Sequence, residues 1–248
     1  NKNSAQISMF GESSEIQFPE PEIPFAERWR MMEELSKEKE VVGIYISGHP
    51  LDDFKNEINY FSNSSVAAFK EDLNNYVGAN LTFSGILSEV QHKTSQNGNK
   101  WASFIIVDYN DSHEFRIFQD TYLKFKPYLI DNEFRQFKVN ITAGWTTKEG
   151  KKSEPRINFT DIHILQDVLE KQTKKITLHL NISTMNENSI KELDKLIKEN
   201  EGTVPLDLLV FDLKEEMKLN LHSRSMKVKV DNEFLKVLEN EKIEFKLN

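Results

Sequence analysis

The side chains of this sequence do not assemble a nucleophile or a metal cage by type and spacing. Cysteine is absent, which removes thiolate catalysis, thiolate zinc sites and disulfides together. The six histidines never stand at metal-ligand spacing with one another or with acids, so no metal and no resident cofactor is expected. The adjacent carboxylates Glu33-Glu34 and Asp52-Asp53 fall on predicted helices, where neighbouring side chains point apart. They read as solvated faces and not as a two-metal site. His49, between Gly48 and Pro50, reads as a turn residue holding its own hydrogen bonds. No catalytic residue is expected.

The chemistry left is binding. Met9 and Phe10 stand side by side in a stretch with no helical or strand period. Such an exposed apolar pair either packs on the protein's own core or anchors in a partner's pocket. Further along, Lys93, Lys100, Lys148, Lys151 and Lys152 lie in or beside two loops of a predicted β domain. A period of two places Trp101 and Ser103 on one face, with Ala102 and Phe104 on the other, and groups Arg116 with Phe118. Phe104, Ile106, Phe115 and Ile117 read as core. Aromatic side chains interleaved with cations are what a single nucleic-acid strand needs. Trp101 and Phe118 either stack on bases or cover the edge of the β domain.

The elements that must position these residues follow from the changing period. Residues 1–24 read as a flexible linker, ending in the proline-rich stretch 18–24, which disfavours helix. Phe25, Trp29, Met32 and Leu35 then recur at helical spacing. Gly48 is placed to end a helix and Pro50 to start the next, over 52–61, so that residues 25–78 form a small helical module. From Asn80 the period becomes two. Strands are predicted over 81–90, with a bulge between Leu87 and Val90, and over 101–109, 113–118, 137–145 and 156–165. A helix is predicted over 122–129, and the turn pair Asn97-Gly98 lies in a loop over 92–99. Three strands, a helix and two strands is the order of a five-stranded OB β-barrel, assigned to residues 79–166. Residues 172–248 read as a small α+β domain. It has strands over 176–182, 204–211, 217–222, 226–230 and 243–247, a helix over 188–200 stopped by Gly202, and a helix capped by Asp231. The chain is thus multi-domain and mixed.

Charge limits the partners. Residues 1–78 hold 7 Lys/Arg against 14 Asp/Glu, residues 79–165 hold 11 against 10, and residues 166–248 hold 14 against 16. A strongly basic footprint is absent, so any DNA contact is local and weak. No apolar run approaches the roughly 20 residues that span a bilayer, so no membrane partner is expected. The start Asn-Lys-Asn-Ser, with no initiator Met and no leader, reads as a piece of a longer chain.

Several of these stretches resemble one family. Glu38-Lys39-Glu40-Val41-Val42-Gly43-Ile44-Tyr45-Ile46-Ser47-Gly48-His49-Pro50-Leu51 is similar to the segment that precedes an OB domain in the bacterial replicative DNA polymerase III alpha subunit, with Val42 where the family usually has Leu. Gly98-Asn99-Lys100-Trp101-Ala102 with Val107-Asp108 resembles its second OB strand, and Glu114-Phe115-Arg116-Ile117-Phe118 its third. The resemblance implies the C-terminal region of a cytoplasmic DNA-directed DNA polymerase, a nucleotidyltransferase of chromosomal DNA replication. It implies a catalytic palm amino-terminal to everything here, with Mg²⁺ belonging to the parent polymerase and no cofactor in this fragment. Gln6-Ile7-Ser8-Met9-Phe10 is similar to the family's peptide for the sliding clamp. The resemblance further implies single-stranded template DNA on the OB domain and, for the last third, the clamp-loader tau subunit of the replisome, without transferring individual tau contacts. The alternative is a stand-alone OB module for single-stranded DNA or a tRNA anticodon, which predicts no clamp affinity.

Overall fold

The computed structural model describes Trp29 and residues 31–43, 45–145, 153–212 and 217–247. The chain divides into two compact units, residues 1–47 and 48–248. In the first, α1 (Met31–Val42) is followed by Gly43 at φ +85°, the left-handed conformation that ends helices. Glu38 then reaches forward to the Ser47 hydroxyl and to the backbone N–H groups of Ser47 and Ile46, at 3.0 and 2.9 Å. These donors, the hydroxyl foremost, hold its carboxyl below the usual range. Gly48, expected to stop a helix, is not in the left-handed region; Gly43 does that work because the helix ends five residues sooner.

The second unit opens with a 3-10 turn, Pro50–Phe54, capped reciprocally. Leu51 N–H donates to His49 Nδ1 at 3.1 Å, and His49 N–H donates to Asp52 Oδ2 at 2.8 Å, a capping box. Then comes α2 (Lys55–Phe61), so the predicted 52–61 helix is a 3-10 turn and an α-helix in series. Next follow β1 (Asn80–Thr94), β2 (Lys100–Val107), β3 (Ser112–Phe118), α3 (Gln119–Phe125), β4 (Phe134–Thr142) and β5 (Arg156–Ile164). The predicted bulge is present. The β1–β2 register shifts between Ser88 and Gln91, with Glu89 at φ +54° and Val90 N–H donating to Asp131 Oδ1 at 3.2 Å.

The sheet order is β3-β2-β1-β4-β5, antiparallel throughout. The expected closed barrel is corrected here: among the described residues β3 and β5 do not pair, and the sheet is open. Its curl still brings inner faces together, for Phe115 of β3 and Phe159 of β5 meet at 5.6 Å, edge to face. The core closes through side chains while the edge backbones stay apart. At its centre Phe83, fully buried, has the rings of Phe69, Phe137 and Phe115 at 4.7, 5.4 and 5.8 Å.

After β5, a 3-10 turn and α4 (Val168–Gln172), an element the sequence pattern missed, lead to the second sheet. Leu51, Ile86, Phe134, Leu165 and Val168 form one core cluster, with Phe54, Ile58 and Phe61 packed on it. Buried Gln136 donates to Phe61 O at 3.0 Å and accepts from Gln172 Nε2 at 2.7 Å. The C-terminal sheet contains β6 (Ile176–Asn181), β7 (Glu201–Asp212), β8 (Met217–Val228) and β9 (Glu244–Leu247), in the order β8-β7-β6-β9. Its β6–β7 pair is parallel and joined through α5 (Glu187–Glu199); the other pairs are antiparallel. α6 (Asn232–Asn240) is capped by Asp231 as expected, Phe234 N–H donating to its carboxylate at 2.9 Å.

Two expectations change here. Gly202 is not a helix stop, since α5 ends at its cap Asn200. It sits in β7, where a Cβ would lie 2.3 Å from Lys229 N, so close approach of backbones demands glycine. The predicted strands 217–222 and 226–230 are largely one strand, interrupted by a register shift. Among the described residues no helix is long and apolar enough to cross a membrane.

Candidate nucleic-acid interface

The outer face of β1, β2 and β3 gathers five of the predicted binding residues. Register places Lys93 opposite Trp101, Trp101 opposite Phe118, and Ser103 opposite Arg116. Their inward neighbours Ala102, Phe104, Ile106, Phe115 and Ile117 are buried, so the alternation that fills the core also aims Trp101, Ser103, Arg116 and Phe118 outward. Trp101 and Phe118 stack at 5.6 Å and 23°, and Phe118 remains 54% exposed. Lys93 Nζ sits 5.0 Å from the Trp101 ring centroid and donates to Ser103 Oγ at 3.2 Å. Ser103 is itself buried; it positions the ammonium and offers no free surface.

Arg116 lies beside this pair and is partly neutralised. Its Nε and Nη2 reach the two Glu114 carboxylate oxygens at 3.1 and 3.2 Å, which holds the Glu114 carboxyl below its ordinary range. Lys100 stands at the start of β2, opposite Thr94 and exposed. The hairpin behind it is shorter than expected, because β1 runs on to Thr94 and Gly98 turns the chain at φ +78°. Lys93 is therefore held on a strand instead of moving with a loop. Lys148, Lys151 and Lys152, and Gln6, Ile7, Ser8, Met9 and Phe10, lie outside the described residues.

The face continues into the gap between β3 and β5. This cleft, about 820 Å³, is lined by Arg116, Phe118, Arg156 and Asn158, with Ile117 and Phe159 among its apolar residues and Glu71, Asp72 and Glu154 also lining it. Arg156 lies 4.7 Å over the Trp145 ring, which is 62% exposed. Trp145 is in turn tied to Ser153: its N–H donates to Ser153 Oγ and its carbonyl accepts from Ser153 N–H, both at 2.9 Å. Neither Trp145 nor Arg156 was singled out by sequence. The available signal was an aromatic residue at the mouth of a loop rich in lysine.

His49 and Asp52 are engaged structurally. The His49 ring lies 4.6 Å from Tyr109, whose hydroxyl donates to Asp52 Oδ1 at 3.2 Å. Burial, with Asp52 adding to it, pushes the Tyr109 hydroxyl far up. Among the described residues, no three carboxylates or imidazoles converge to hold a metal ion.

These features define a mixed α/β chain built on an open, curved antiparallel sheet with one aromatic and cationic face. Residues 176–248 match the family model described as DNA polymerase III alpha subunit, C-terminal domain. A DNA polymerase III subunit alpha of Campylobacter jejuni is 26% identical over 236 residues, 91% of this chain and 19% of that protein. The subunit of Borreliella burgdorferi is 29% identical over 206 residues, 76% of this chain and 17% of its own length. That of Thermus aquaticus is 27% identical over 182 residues, covering 71% and 14%. The chain is similar over most of its length to DNA polymerase III alpha subunits, and over residues 176–248 to their C-terminal domain. It spans less than a fifth of the length of the curated relatives it matches.

Proposed function

We propose that this chain is the non-catalytic C-terminal part of a replicative DNA polymerase III alpha subunit and that it guides the template as a single strand. The observation that carries this reading is the convergence of Lys93, Trp101, Arg116 and Phe118 on one sheet face that opens into a cleft holding Arg156. Bases stack on aromatic planes while cations track phosphates, a mode that tolerates any sequence. A polymerase that must advance needs that tolerance. The five-strand order supports an OB-type reading, in which the open seam between β3 and β5 is part of the groove. The clamp reading rests on Gln6-Ile7-Ser8-Met9-Phe10, and the tau reading on the C-terminal domain; both are carried over from the resemblance.

The test is anisotropy of a labelled oligo-dT strand at low salt. A stacked base is worth about 1–3 kcal/mol, so Trp101→Ala should weaken binding roughly 5- to 150-fold while its thermal melting stays cooperative. Unchanged affinity would remove the face from the DNA path. Preference for a tRNA anticodon stem-loop over DNA would favour the stand-alone module instead.

A further inference from the structure

The β8 edge of the C-terminal sheet is open in a way that the opposite edge is not. β9 has 4 residues, and Tyr60 of α2 lies against its Phe245 at 6.0 Å. β8 runs for 12 residues and, among the described residues, pairs with β7 alone. One part of it is blunted. The partners of Pro205 and Asp207 are Lys227 and His222, so that surplus residues break the ladder between these, with Met226 N–H donating to Ser223 Oγ at 2.8 Å. The half 217–222 is regular, pairing residue by residue with 207–212, and its outer side is paired with no strand among the described residues, which leaves a row of backbone groups open there.

Residues paired across an antiparallel ladder share a face. Leu221 stands opposite Leu208 and Leu219 opposite Val210, and both β7 residues pack on the core that Leu193 of α5 and Phe234, Leu235 and Leu238 of α6 complete. Met217, Leu219 and Leu221 therefore lie on the helix-bearing face, yet they are 66%, 57% and 43% exposed. The apolar floor extends one strand beyond its helical cover. An apolar strip beside an unpaired edge fits an added strand.

Charge selects which strand can add. The β8 stretch contains Lys218, Arg224 and Lys227 and no acid. On the adjoining strand, Asp207 is already engaged by Lys175 Nζ and His222 Nδ1, each at 2.9 Å, and Asp212 accepts from the Ser183 hydroxyl at 3.2 Å. A second copy pairing β8 with β8 would join two basic strands with no carboxylate on either. We infer that residues 217–222 receive an extended segment of another protein as a fifth strand, its apolar residues continuing the Met217, Leu219 and Leu221 strip and its alternating Asp or Glu residues facing Lys218 and His222. The site stands whether or not tau is what docks on this domain.

The test uses the full chain and a fluorescein-labelled octapeptide alternating Val and Glu. Saturable binding is expected, at least tenfold tighter than for a Val and Lys peptide, and reduced at least tenfold when alternate peptide amides are N-methylated. Lys218→Glu, a change of an exposed side chain, should weaken the acidic peptide similarly while leaving thermal melting and oligo-dT affinity unchanged. Absence of saturable binding, equal binding of the N-methylated or Lys-containing peptide, or an indifferent Lys218→Glu variant would overturn the assignment. So would a concentration-dependent dimer in sedimentation that Leu219→Asp abolishes, since the edge would then belong to a second copy.

Discussion

The carboxyl of Glu57 illustrates what a single residue contributes when its setting works against it. It is buried on α2, where Oε1 accepts from Asn232 Nδ2 at 2.8 Å and Oε2 has no hydrogen-bond partner among the described residues. Burial, the leading cause, raises its pKa above the ordinary 4.5. For an acid raised on folding, the favourable contribution is complete below the unfolded value and disappears as pH climbs through the folded one. At pH 7 the group therefore costs stability. Glu57→Gln, which keeps the acceptor and removes the charge, should stabilise the fold by on the order of 1 kcal/mol at pH 7 and by little at pH 4. Thermal melting at the two pH values checks this; no gain at pH 7 would mean that the carboxylate is not desolvated. The residue scale also shows where spacing served well. Trp101 with Ser103, and Arg116 with Phe118, share the outward face because strand side chains alternate strictly, and that needs no knowledge of neighbours. The Lys93–Trp101 contact crosses from one strand to the next and the Arg156–Trp145 stack crosses the connection between β4 and β5, and the period within a strand does not set that cross-strand register.

At the scale of elements, glycine placement decides two boundaries. Gly43 and Gly202 are both glycines near a helix end in sequence, yet one turns the chain at φ +85° and the other lets β7 pass close to Lys229. Composition alone cannot separate these roles, because both rest on a missing Cβ. Gly202→Ala would press a methyl group onto backbone, which cannot rotate away, and should destabilise by about 1–3 kcal/mol. Chemical denaturation measures it, and a midpoint equal to that of the parent would show that β8 shifts freely. The bulge at Glu89 was legible because the apolar alternation breaks between Leu87 and Val90. α4 was not, since a five-residue helix is too short to establish a period.

For the whole molecule, net charge and surface arrangement pull in opposite directions. The chain carries a net charge of -8, while Lys93, Lys100, Arg116 and Arg156 lie on or near one sheet face and its cleft. Single-strand affinity should thus fall with salt at a modest slope, about 0.7 per phosphate neutralised. Changing Lys148, Lys151 and Lys152 together to Glu should flatten that slope by about 2; an unchanged slope would place this loop away from DNA. Retention on immobilised sliding clamp should be lost when Met9 and Phe10 both become Ala, and equal retention of the two forms would remove the clamp reading. The residues alone determined the order of elements, the inward and outward faces of the strands, the absence of cysteine chemistry, and the family resemblance, since each depends on local period or composition. Tertiary structure alone decided that, among the described residues, β3 and β5 stay unpaired, that Arg156 lines the cleft while lying over Trp145, and that β8 ends the second sheet with its apolar strip uncovered. Those outcomes depend on which distant edges meet, and an alternating pattern specifies the face of a strand without naming its neighbour.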